Sequence, residues 1–525
     1  MTVISSIPSW NATPVRSPAS SAQRADAQVV QKPAASTIVK LSPQSLSASA
    51  SGRPGLSWES TAQDGVSALM AANVGARSAA GRFSGLGAAL LGQFRGEGGN
   101  ISQSVQLAPA ATPASPYGVA AATPASPYGV AAAAPALHGL GNDKISLSIS
   151  SKSGVDVTLS LDNTDDGLAV RMSSSAELSD AERSALAGLA DGFQEAIDGI
   201  TQDPPSVRLQ GLTQCDPAVL ASVDLRATIK LSSDPEATQS LALHADGAQR
   251  EVSLSGPSGS ASVSVDTSNL AGLGSPEQQA RALASHLKQF DQAASRGRAD
   301  TGLMTMFKEA FTGINTNVGA AQPRGGVATG GKWELAADDH AALSGLADFS
   351  ASVSQASTAI NPMRPGEQDS FAYELSQSTS VGGPSRGERT VSQQQKSELN
   401  ASFHTPSTPG AVLRLDHTEA SQNYDYHQIK DAASSDVDLA YSDGYLVKAT
   451  LNQSASQSAR VLSYVMGKLV SEMVTPGQQS FQRDLLAALA PYLTGQTRLS
   501  DDQKDEQRQQ SLSSLSEQVL LKGYP

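Results

Sequence analysis

The stretch Lys144–Met172, KISLSISSKSGVDVTLSLDNTDDGLAVRM, alternates apolar and polar residues in three short runs. Ile145, Leu147 and Ile149 form the first, Val155, Val157, Leu159 and Leu161 the second, and Leu168, Val170 and Met172 the third. Successive side chains of a strand point to opposite faces, so this period reads as strands with one buried and one wet face. SKSG at 151–154 and DNTDDG at 162–167 have the composition of tight turns, which makes neighbouring strands antiparallel. Ser179-Asp180-Ala181-Glu182 then has the form of a capping box, and Leu186, Leu189, Ala190, Phe193, Ile197 and Ile200 follow on one helical face. Strands and a covering helix predict an α+β fold of antiparallel polar sheets covered by amphipathic helices, preceded by a long disordered N-terminal arm.

The same alternation continues downstream. Val223–Leu231, Ser240–His244, Glu251–Leu254 and Ala261–Val265 read as further strands, and Ser275-Pro276-Glu277-Gln278 opens a helix with proline in its first turn. Leu283, Leu287, Phe290 and Ala294 line that helix, and the segment of Met304, Met306, Phe307, Ala310 and Phe311 is suited to cover a sheet face. Beyond a Gly-, Asn- and Thr-rich linker, strands are expected at Ser370–Ser380, Thr390–Phe403, Ala411–Leu415, Tyr424–Ile429, Val437–Tyr441 and Tyr445–Leu451, with an Asp-Gly hairpin turn at Ser442-Asp443-Gly444. The stripe Val461, Leu462, Val465, Met466, Leu469, Val470, Met473 and Val474 predicts a helix, as does Phe481, Leu485, Leu486, Leu489, Tyr492 and Leu493, and Leu512, Leu515, Val519 and Leu520 a last short one. LxGLAD recurs at Leu186–Asp191 and Leu343–Asp348, a candidate echo of one helical context. The expected division is an arm over 1–143, a first α+β domain over 144–318 and a second over 331–525.

Upstream, residues 1–59 are dominated by Ser, Ala, Pro, Thr and Gln, too few apolar groups to offset chain entropy. Between 65 and 94, Val66, Leu69, Met70, Val74, Phe83, Leu86, Leu90, Leu91 and Phe94 trace a glycine-broken helix that needs a surface to form against. The 11-mer ATPASPYGVAA occurs twice, at 111–121 and 122–132. Its prolines read as an extended spacer, with Tyr117 and Tyr128 as candidate docking anchors.

Chemistry is mostly excluded. Cys215 is the only cysteine, so one chain forms no internal disulfide and no Cys-based zinc site. A formal charge of −13 disfavours nucleic acid as a partner, and no apolar run is long enough for a transmembrane helix. The start lacks the charged and apolar regions of a Sec signal, leaving a cytoplasmic protein or one exported by a non-Sec route. Gly326–Trp333 matches the spacing of a phosphate-binding loop but puts Trp333 where the magnesium-binding hydroxyl belongs. Asp162–Gly167 is at most half of a calcium loop. The densest ligand set is Asp416, His417, Glu419, Asp425, His427 and Asp431; period two puts Asp425 and His427 on one face, where His417 would complete a weak metal candidate. No cofactor is implied. The expected function is a non-enzymatic interaction protein with a protein partner; an undetected hydrolase and a structural cell-envelope or appendage-associated protein are the alternatives. A deep pocket with convergent ionisable groups would favour the hydrolase, and an exposed apolar patch or free strand edge would favour binding.

Overall fold

In the computed structural model the described residues are 55–62, 64–96, 100–107, 137–231, 236–318, 335–487 and 514–521, all within the compact unit 54–525. In chain order the elements are β1 Leu56–Trp58, α1 Gly65–Asn73, α2 Ala79–Phe83, α3 Leu86–Gly92, β2 Ile101–Leu107, β3 Asp143–Ser151, β4 Asp156–Asn163, β5 Gly167–Ser174, α4 Asp180–Gly188, α5 Ala190–Thr201, α6 Gln210–Thr213, β6 Leu220–Lys230, β7 Thr238–Asp246, β8 Gln249–Gly256 and β9 Gly259–Asp266. They continue as α7 Pro276–Gly297, α8 Thr301–Asn315, α9 Ala337–Ala341, β10 Phe349–Gln355, β11 Ser370–Gly382, β12 Thr390–Pro406, β13 Tyr424–Ser442, β14 Tyr445–Val465 and β15 Lys468–Asp484.

All the described strands belong to one antiparallel sheet in the order β1-β2-β5-β4-β3-β6-β7-β8-β9-β10-β11-β12-β13-β14-β15. From β6 onward it is a meander. The protein is thus a mixed α+β fold with a large antiparallel sheet and several helices. The ladder runs without a break from β9 to β10, across the expected linker, with Val263 opposite Ala351.

Period two decides which face is buried. Ile145, Leu147, Leu225, Leu243, Val263, Ala351, Leu375 and Leu399 lie under the helices, each large side chain worth about 1.5–3 kcal/mol of burial. The opposite face is a lattice of small polar groups: in one register row Ser160, Ser146, Arg226, Ala242, Ser253, Ser262, Ser352, Glu374, Glu398, Ala432, Ser456 and Gln478 lie side by side across the strands. The few aromatics are concentrated instead of spread. Phe290 of α7 packs on Phe307 at 4.8 Å, Phe311 at 5.0 Å and Tyr373 at 5.8 Å, pinning α7 and α8 to β11.

Local signals behave as read where helices are capped. Ser179 and Glu182 form the reciprocal capping box of α4, and Ser275 caps α7 ahead of Pro276. The Asp443-Gly444 turn, with φ of 52° and 81°, joins β13 to β14.

Five readings are corrected. Part of the segment assigned to the arm is built into the body: β1 and β2 join the sheet, and Val66, Met70, Phe83, Leu86, Leu90, Leu91 and Phe94 are buried. The surface that α3 needs is α5 of the same chain. Gly87 allows that approach, because a Cβ there would lie 2.5 Å from Ile197 Cδ1, and Gly85 starts α3 at φ 71°. Residues 461–474 form the β14–β15 hairpin, not a helix. Leu462 and Tyr464 point to one face and Val461 to the other, and Met466-Gly467, with φ of 49° and 72°, form a turn; apolar residues on both faces of two strands imitate a helical stripe. Phe481 likewise lies in β15, and Leu489, Tyr492 and Leu493 fall outside the described residues. Ala411–Leu415 is an irregular loop, its Leu413 and Leu415 packed on neighbouring tyrosines in place of a ladder. The second LxGLAD is a loop with Gly345 at φ 87° leading into β10, whereas the first spans α4 and α5, so the shared letters adopt different structures.

Candidate functional site

The covered face of the sheet changes sides along β12–β14. Leu399, Ala401, Ile429 and Leu451 are buried beneath the helices, but nearer one end of the strands His404, Tyr424, Tyr426, Leu462 and Tyr464 are buried on the opposite face. There the connection 356–369 and the loop containing Leu413 and Leu415 cover them.

A buried polar knot holds this cover in place. Tyr424 and Tyr464 stack with centroids 4.8 Å apart, and both donate to Glu367, at 2.7 Å to Oε2 and 2.8 Å to Oε1. Burial, reinforced by the bonds to Glu367, pushes both phenols above their ordinary ionisation range. His404, with no side-chain exposure, meets Asp369 Oδ1 through Nδ1 at 2.5 Å and lies 3.5 Å from Glu367 through Nε2. Asn361 donates to Gln422 Oε1 at 2.8 Å and to the Tyr424 hydroxyl at 3.0 Å. Arg364 lies over the Tyr464 ring at 4.3 Å and donates to the Gly467 carbonyl at 2.9 Å.

These contacts converge on the turn that begins β15. Gly467 N–H donates to the Gln422 carbonyl at 3.0 Å and Met466 N–H to Asn423 Oδ1 at 3.0 Å. The knot thereby fixes where the last strand leaves the sheet. Replacing Glu367 by glutamine should cost about 1.5–3 kcal/mol, the value of hydrogen bonds to a charged group. In spectrophotometric titration the variant's tyrosines should ionise at lower pH than those of the wild type, since the carboxylate that disfavours the phenolates is gone.

The strand so positioned is exposed along its whole length. All 17 residues of β15 are exposed, and among the described residues the strand pairs with β14 alone. It carries Leu469, Val470, Met473, Val474 and Phe481, each between 49% and 60% exposed. The opposite sheet edge is the 3-residue β1. Pro476 lacks a donor and is tolerated because the strand is at an edge; it splits the free edge into Lys468–Thr475 and Gly477–Asp484.

The metal candidates are placed apart. Asp425 and His427 do share a face of β13, the helix side, where His427 stacks on Phe403 at 4.7 Å and meets Thr405 Oγ1 at 2.9 Å. Burial lowers its pKa. His417 is exposed on the loop that caps the other face, and Asp431 is buried against Arg296. Among the described residues no group of three His, Cys, Asp or Glu side chains is arranged to hold a metal ion. Tyr117, Tyr128 and Gly326–Trp333 lie outside the described residues. Cys215 is partly buried, and burial raises its thiol pKa.

A shallow hollow of about 620 Å³ on the bare sheet face is floored by Ser and Ala, with Glu374, Lys396 and Glu398 as its charged groups. No described helix is long and apolar enough to cross a membrane. Comparison of the chain with protein-family models, curated proteins and solved structures finds no match.

Proposed function

We propose that this is a non-enzymatic interaction protein that docks an extended segment of a protein partner along β15 by strand addition. One observation carries the reading: a 17-residue edge strand, exposed on both faces, presents five apolar side chains beside a backbone edge that no other described strand pairs. An unpaired edge supplies main-chain donors and acceptors that give affinity, while alternating side chains give selectivity. The half before Pro476 suits the task best: Leu469 stands opposite Tyr464 and Met473 opposite Val461, on the two different faces, with Val474 opposite Arg460 and Val470 at the register shift. The partner is accordingly an extended peptide with apolar residues at alternate positions.

The test uses the full chain with a photo-crosslinking residue at Val470 or, as control, at Ser253 on the bare face. Partner crosslinks should form at Val470 and fall when Val474→Lys is added, with thermal stability changed by no more than about 0.5 kcal/mol because the site is exposed. Equal crosslinking at both positions, or crosslinked partner segments that are helical, would remove strand addition as the mode of binding.

A further inference from the structure

Beyond the free edge, a different set of residues forms a second contact site, on the helix side of the sheet. The segment 514–521, SLSEQVLL, helical over 514–519, lies across β14, β13 and β12 and reaches α7, with Leu515, Val519, Leu520 and Leu521 buried. Its backbone is gripped by side chains rather than by a strand ladder. Gln453 Nε2 donates to the Gln518 carbonyl at 3.0 Å and the Leu520 carbonyl at 3.1 Å. Ser435 Oγ donates to the Val519 carbonyl at 2.8 Å, and Gln289 Nε2 to that of Leu521. The Leu521 N–H donates to Gln395 Oε1 at 2.9 Å.

We propose that the groove formed by Gln289, Gln395, Ser435 and Gln453 is a peptide-binding site, filled in cis by 514–521 and able to take that same segment from a second copy of this chain. Two features separate it from ordinary core packing. The four gripping residues stand on four elements, and the three strands among them are held to one another by their own ladder, so the receptor does not depend on the segment for its shape. The amides take the carbonyls of 518–521, at the end of the short helix where no intrahelical donor is left, so the groove reads a helix terminus together with its apolar face. Tethering makes the cis copy a strong competitor, because a linked ligand acts at high effective concentration.

The test is fluorescence anisotropy with a labelled synthetic peptide of residues 511–525. In the full chain carrying Val519→Asp, which disables its own segment, the peptide should bind; to the unmodified full chain it should bind about 100-fold more weakly. Adding Gln395→Ala and Gln453→Ala to the Val519→Asp chain should remove binding. A folded Val519→Asp chain that does not bind, or that binds equally with both glutamines removed, overturns the proposal. Should Val519→Asp fail to fold, hydrogen exchange of the unmodified chain decides: amides of 518–521 that open well before those of β13 support a releasable segment, and opening together with β13 overturns it.

Discussion

Arg296→Met should destabilise the fold by about 3–5 kcal/mol, more than the reciprocal Asp431→Asn, although the two residues form one ion pair. Arg296, on the last turn of α7, donates through Nε to Asp431 Oδ2 and through Nη2 to Oδ1 at 3.1 Å. The Asp431 side chain is fully buried in β13, whereas that of Arg296 is 30% exposed. Removing the arginine strands a buried carboxylate with the Ser458 N–H, at 3.3 Å, as its remaining donor. Removing the carboxylate leaves a guanidinium that turns to water. Urea unfolding of the two variants measures the asymmetry. Equal losses, or a loss under about 1 kcal/mol for Arg296→Met, would show that the helix is held to β13 by apolar packing alone.

That pair also shows what was readable in the sequence. Asp431 stood out only as one carboxylate in a run of Asp, His and Glu between 416 and 431, and the run invited a metal reading. Linear proximity misleads here because His417 lies on the loop over the opposite face, while His427 and Asp431 share a face of β13 but stand four residues apart, one against Phe403 and the other against Arg296. The strands from Lys144 to Val265 are legible since one face is always buried and the period never slips. In β13 the buried parity switches between Tyr426 and Ile429, from even to odd positions. That switch is visible in the sequence as two tyrosines out of step with Ile429, and it marks the polar knot that anchors the β14–β15 turn. The partners of the knot, Asn361, Arg364, Glu367 and Asp369, carry no periodic signal because they lie in a connection defined by what it covers. β15 imitates a helix for a related reason. A strand with no buried face gives no alternation, so the apolar residues of the hairpin fall closest to a helical spacing.

Acid should expose a weakness at the centre of the aromatic core. His286 on α7 has no exposure, neither ring nitrogen has a hydrogen-bond partner, and Phe349 and Phe311 pack edge-on at 5.4 Å and 6.1 Å. It sits one helical turn before Phe290, at a core position that spacing alone marks as apolar. Burial lowers its pKa from 6.5 to about 4, so the folded protein keeps it neutral while the unfolded chain protonates it below the ordinary value. A lowered histidine pKa means that its full contribution is present above pH 6.5 and is lost as pH falls toward 4, a proton being bound by the unfolded state alone across that window. At 1.36 kcal/mol per pH unit the loss from this one residue amounts to about 3 kcal/mol. His286→Leu removes the titrating group and two unpaired buried nitrogens at similar volume. It should be at least as stable as wild type near neutrality and should lose less stability on going to pH 4.5, other groups cancelling in the difference. Urea midpoints of both chains at pH 7.5 and pH 4.5 provide the four values needed. Parallel losses in the two chains would mean that His286 is solvated or paired in solution, and the acid sensitivity would then have to arise from the ion pairs instead.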